Sequence, residues 1–206
     1  FLRQAVFDGG THPLNICHAS GMTSLLEPNQ DILAGFPGLD VAGTVIKREP
    51  IETVRLDDVE QATGADYLKI DIQGGELTVF RNASRFLESC VVIQTEVLFR
   101  EMYHGQPLFS EVELHLRDQG FQLLTMVQTT SVSMKPFTFT RSRLPSTAQL
   151  FWGDILFIKD VRTLSDMPPE KLLTLARVLH DIYRVYDVCY GVLQAHDRIQ
   201  GSRYCE

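Results

Sequence analysis

Cysteine is scarce in this 206-residue chain, and the four thiols, Cys17, Cys90, Cys189 and Cys205, form no CxxC pair. That spacing excludes a zinc ribbon or a disulfide framework, and thiols in apolar surroundings read as reduced, which points to a cytoplasmic protein. No apolar run approaches the roughly 18 residues of a membrane span, and nothing near Phe1 has the layout of a signal peptide. No membrane partner is expected. Basic clusters are missing as well: 19 Lys and Arg are scattered among 26 Asp and Glu, giving a net charge of −7. A groove for a phosphate backbone needs the opposite balance, so nucleic acid is excluded. The histidines at 12, 18, 104, 115, 180 and 196 are dispersed with no metal-binding spacing, and no metal is expected.

What is present suits one globular domain with a substantial core, since 44% of the residues are hydrophobic. The clearest unit begins at "ADYLKIDIQGGELTVF". Residues 66–72 read as a strand ended by Gly74 and Gly75, after which Leu77, Phe80, Ala83 and Leu87 recur at helical spacing. "CVVIQTEV", residues 90–97, has almost no polar alternation in its first half, as in a strand covered on both faces, so the pair forms a βαβ unit. Ser110 and Glu113 suggest a capping box for a helix that stops at Gly120. Residues 121–127 and 150–158 follow as strands with no comparable helix between them, which predicts an antiparallel hairpin closing the sheet edge.

Pro168 and Pro169 mark a boundary, giving an α/β domain over 1–160 and a helical extension over 161–206. In that extension Leu172, Leu175, Leu179, Ile182, Tyr186 and Leu193 continue at three-to-four spacing, as one long amphipathic helix or two short ones. Its wide stripe must be covered by the domain or by a second copy, so a homo-oligomer through these helices is a possible arrangement. The N-terminal part reads as strands at "RQAVFD", "THPLNICHA" and "GTVIKREPIETVRL", with Asp57 as the N-cap of a short helix.

Chemistry concentrates in "KIDIQGGE", residues 69–76. Ligands of open α/β sheets sit at the carboxyl ends of strands. Asp71 stands at such an end as a candidate general base, Gln73 is a neutral hydrogen-bonding partner, and Gly74 lets the backbone approach a ligand. Glu76 falls in the first helical turn, where a carboxylate favours the dipole. Glu96 ends the neighbouring strand and should project toward the same rim. Asp154 interrupts a strongly apolar strand and must be paired or at the rim, because an unpaired buried carboxylate is costly. His104, in a loop after a strand, is a candidate substrate contact.

"VRLDDV", "DYLKIDIQGGEL", "VVIQTEVLF", "YHGQPLFSEVELHLRDQGF" and "QLFWGDILFIKD", in that order, resemble the FkbM family of S-adenosyl-methionine-dependent methyltransferases. The resemblance implies a class I, Rossmann-like fold with a mostly parallel sheet, a terminal antiparallel hairpin and C-terminal amphipathic helices. It implies methyl transfer, usually to an oxygen on a sugar or related small molecule, with a carboxylate taking the hydroxyl proton. Asp71 and Glu96 are then the catalytic candidates, and Asp8, Lys69, Asp71, Gln73 and Gly74 the cofactor contacts. Some family members carry Glu where Gln73 stands, so Gln removes one possible base and favours Asp71.

"VFDGG" and "LLEPN" imitate the family's cofactor loop and ribose acid. Only about thirty residues separate Glu27 from "RLDD", too few for the intervening units. The segment matches the family's third strand and the hairpin after it, so the expectation is an N-terminally truncated fold whose first two strands precede Phe1. Asp8 at that strand's end would then lie near the adenine. The alternative is a cofactor-free module of the same fold serving binding or assembly. A metal-dependent hydrolase on Asp71 and Glu96 is a third reading.

Overall fold

The computed structural model describes residues 2–137 and 149–205. Short strand β1 (Ala5–Phe7) and strands β2 (Thr11–Cys17) and β3 (Val45–Arg55) form one sheet in the order β1-β3-β2. β1 runs parallel to β3 and β2 antiparallel to it. Strands β4 (Tyr67–Ile70), β5 (Val92–Leu98), β6 (Phe121–Val132) and β7 (Gln149–Lys159) form a second sheet in the order β4-β5-β7-β6. Helices α1 (Gln30–Leu33) and α2 (Leu39–Ala42) lie between β2 and β3, while α3 (Glu76–Arg81) and α4 (Ser84–Ser89) connect β4 to β5. Helix α5 (Phe109–Asp118) precedes β6, and α6 (Pro169–Val178) and α7 (Tyr186–Gln200) close the chain.

The expectation of a mostly parallel sheet is corrected: the architecture is mixed α/β with two sheets, and the described strands make two parallel and three antiparallel pairings. The reason lies in the polarity of the strands. β3, "VIKREPIETVR", is largely exposed, and an antiparallel pair tolerates water on one face where a parallel sheet is covered on both. β4 and β5 form the expected parallel pair joined by helices, and all seven residues of β5 are buried. β6 and β7 form the expected antiparallel pair, but β7 enters between β5 and β6, so β6 is the edge strand.

Side-chain alternation divides β5 between two faces. Ile93 and Val97 join Ile155 and Phe157 in a cluster with Leu77, Phe80 and Leu116 from the helices, and Phe7 and Leu56 belong to it too. Val92, with Leu156 and Ile158, packs against Leu172, Leu175, Leu179 and Val192, so the C-terminal stripe is seated on the sheet. Ile182, Tyr186 and Tyr190 remain exposed. The stripe is two helices, separated by a π-helical turn (Leu179–Tyr183) and by Arg184 in the left-handed region at φ 57°.

Two local expectations move. Asp57 does not cap a helix beginning at its own position: its carboxylate accepts from the backbone N–H of Arg85 and Phe86, at 3.1 and 2.9 Å, and so caps α4 across the fold. At α5 the capping carboxylate is Glu111, which accepts from Leu108 N at 2.9 Å, and Glu113 pairs with Arg117. Among the described residues no helix is long and apolar enough to cross a membrane. The four thiols are free, three of them buried.

Gly153 permits the close approach of β6 to β7. A Cβ there would lie 2.6 Å from the backbone oxygen of Gln128. Gly153→Ala is expected to force the strands apart and lower stability by about 2 kcal/mol, a fall in Tm of roughly 4–8 °C, checked by thermal denaturation.

Candidate functional site

β4 ends at Ile70, and the chain then turns sharply into α3. Gln73 takes the left-handed conformation at φ 59° and Gly74 follows at φ 95°. Such a φ is costly for a residue with a side chain, so the surroundings must hold it. Ser24, 2% exposed, donates its hydroxyl to the Gln73 carbonyl at 2.8 Å. Glu76, 4% exposed, turns its carboxylate back under the turn and accepts from Ile72 N at 2.8 Å and Gly74 N at 3.4 Å. A side chain at Gly74 would meet the Tyr103 ring at 3.2 Å, so the turn is also packed from above.

The turn brings three carboxylates together. One oxygen from each of Asp71, Glu76 and Glu96 lies within 4.8 Å of the others. Gln73 bridges two of them, its amide nitrogen donating to Asp71 Oδ1 at 2.7 Å and to Glu96 Oε2 at 3.1 Å. The amide oxygen accepts from the Tyr103 hydroxyl at 3.2 Å. Both ends of the Gln73 amide are thereby assigned.

Burial sets the protonation of the group. Desolvation, followed by the charges of Asp71, Glu76 and Asp154, pushes Glu96 up to about 8. Desolvation likewise pushes Glu76 up to about 7, against the backbone N–H of Ile72, which favours the charged form. At neutral pH the Glu96 carboxyl therefore retains its proton. Burial also raises the Tyr103 phenol, which stays a donor.

Glu96 belongs to a polar belt on one face of the second sheet. Gln94 donates to Asp154 Oδ2 at 2.6 Å and accepts from the Tyr183 hydroxyl at 2.6 Å, while Tyr183 and Tyr67 share a hydrogen bond of 2.9 Å. Asp154, directly opposite Glu96 in the ladder, is thus paired, as its place in an apolar strand requires.

Of the residues singled out from sequence, Asp71, Gln73, Gly74 and Glu96 come together. Lys69 is exposed and, with Asp71, lines a cavity of about 480 Å³ bounded also by Gln4, Val6, Ser24 and Ile72. β1 and β4, each paired on one side only, both contribute to its walls. Asp8 lies outside this cavity; its carboxylate accepts from Gly10 N at 2.8 Å and meets His12 Nε2 at 2.7 Å, which holds the turn after β1. His104 is exposed and its backbone N–H donates to the Glu27 carbonyl; no contact ties its ring to the carboxylates. Sequence reasoning missed Ser24 and Tyr103, and gave Glu76 only a dipole role. The adjacency of Tyr103 to His104 was the one available signal.

The buried Glu76 makes stability depend on pH. Its folded value of about 7 lies above its ordinary 4.5, so its favourable contribution is complete below about pH 4.5 and is lost as pH rises through about 7. Glu76→Gln keeps an oxygen for Ile72 N and removes the charge. The variant is expected to match the parent near pH 5 and to exceed it near pH 8.5 by on the order of 2 kcal/mol, read from paired melting curves.

The family model described as "Methyltransferase FkbM domain" matches residues 8–123, more than half of the chain. Comparisons with curated proteins and with solved structures returned no match.

Proposed function

Because the chain belongs to the FkbM methyltransferase family, we propose that it transfers a methyl group from S-adenosyl-methionine to a hydroxyl of a small molecule, a sugar or related metabolite, at the carboxylates of Asp71 and Glu96. The observation that carries this reading is the pairing of Asp71, just past β4, with Glu96 of β5 through the Gln73 amide. The residues fit the cofactor. The Asp71 carboxylate gives an anionic contact for a sulfonium, and the cavity of about 480 Å³ that it lines falls within the range of small-molecule sites. Bound there, S-adenosyl-methionine supplies a methyl carbon on a cationic sulfur, which an acceptor oxygen takes with release of the neutral thioether.

The chain's own part is alignment and proton management. Gln73, locked by Ser24 and Tyr103, holds the facing oxygens of Asp71 and Glu96 in fixed positions. A hydroxyl placed against them gives its proton to the pair as its oxygen reacts. Since Glu96 keeps a proton up to about pH 8, the pair's capacity as a base grows as pH rises through that value. Lys69 and Asp71 border the cofactor side.

Three measurements test the reading. Calorimetry should detect S-adenosyl-methionine binding, and no binding would favour the cofactor-free module. Asp71→Asn should lower kcat by roughly 100- to 10,000-fold while the melting temperature holds. The kcat/KM of the parent should rise with pH through about 8, and Glu96→Gln should remove that limb; an unchanged profile in the variant would take Glu96 out of the proton path.

A further inference from the structure

A second, smaller cavity of about 110 Å³ is lined by Glu96. Its polar wall is Glu96 and Gln73, and its apolar wall is Met22, Leu98, Met102 and Trp152. Leu98 and Trp152 face each other across the β5–β7 ladder, two residues along from the Glu96–Asp154 pair, so they lie on the same sheet face as the carboxyl. The Met22 carbonyl lies 3.3 Å from the Tyr103 hydroxyl, whose single proton it shares with the Gln73 amide oxygen. Met22, Leu98 and Met102 are buried, while Gln73 and Trp152 are partly buried and Gly21 is exposed, which puts the mouth between those three. The indole N–H of Trp152 has no hydrogen-bond partner among the described residues.

Size and lining together restrict what can enter. An apolar cavity of about 150 Å³ takes a benzene ring, and this one, at about 110 Å³, is smaller. It accommodates a short arm of a few heavy atoms with one polar end at Glu96. We infer that this cavity is the acceptor subsite and that it selects a primary hydroxyl on a one- or two-carbon arm, with Trp152 and Met22 excluding hydroxyls borne directly on a ring. The inference rests on the methyl-transfer reading for its chemistry, whereas occupancy of the cavity does not depend on transfer.

Met22 and Met102 are two of the chain's five methionines, the others being Met126, Met134 and Met167. Their ε-methyl resonances in protein labelled with ¹³C-methyl methionine therefore report on the cavity without any turnover. Ethylene glycol is expected to shift the Met22 and Met102 signals saturably and leave the other three in place, whereas cyclohexanol at matched concentration shifts neither. A Cβ at Gly21 meets no atom within 4 Å, so Gly21→Leu adds its side chain beside the mouth from an unobstructed Cβ. That variant should keep its melting temperature and weaken the ethylene glycol response about tenfold or more, with Gly21→Ala intermediate. Shifts by cyclohexanol as large as those by ethylene glycol, or no shift by ethylene glycol in protein that binds S-adenosyl-methionine, would overturn the inference. Absence of cofactor binding with the ethylene glycol response intact would count against the methyltransferase reading alone, leaving the small-alcohol site in place.

Discussion

Everything at the functional rim depends on the Glu76 carboxylate being folded back beneath the turn after β4. A left-handed Gln73 followed by a left-handed Gly74 leaves backbone N–H groups pointing inward, and Glu76 receives two of them. Without that acceptor the turn would have buried donors and no partner, at a cost of about 1–3 kcal/mol each. With it, a third carboxyl is placed beside Asp71 and Glu96. The same act that satisfies the backbone adds to the pressure that keeps Glu96 protonated, after its burial and the charge of Asp71. Structure and reactivity at this site therefore meet in one residue.

That pressure is tolerable because the surroundings are organised to hold it. The polar belt of Gln94, Asp154 and Glu96 lies between two apolar clusters on one sheet face, one made with the C-terminal helices and one with Met22, Phe36 and Tyr103. Tyr183, at the π-helical turn between α6 and α7, reaches Gln94 and so ties the C-terminal helices to Asp154. Lys171 adds an ion pair to Asp66 at the start of β4. These links make the helical region part of the frame that positions the rim.

Much of this was legible in the residues, and the boundary of what was legible has a physical basis. A strand leading into Asp71, a glycine turn, a helical segment and a second buried strand are all local patterns that appear where periodicity and turn chemistry put them, although that second strand runs past Glu96 to Leu98. The β6–β7 pair was legible for the same reason. What escaped was long-range: Ser24 and Tyr103 meet Gln73, and Met22 meets Glu96, across separations of thirty residues or more. No spacing rule encodes such a meeting. Glu76 was misjudged because a carboxylate in a first helical turn is ordinarily solvated, and only the reversed turn shows that it is buried. The mostly parallel sheet implied by the family resemblance gives way to a mixed architecture because β3 is largely exposed and pairs antiparallel with β2.

Trp152 is the chain's single tryptophan, and it forms one wall of the cavity beside Glu96. Intrinsic fluorescence excited at the indole therefore arises from one place in the molecule. A change in its colour or intensity is local to the space between the thioethers of Met22 and Met102 and the carboxyl of Glu96. The protein carries a built-in lamp at the point where its chemistry is proposed to occur, with no dye or tag required to see that point fill and empty.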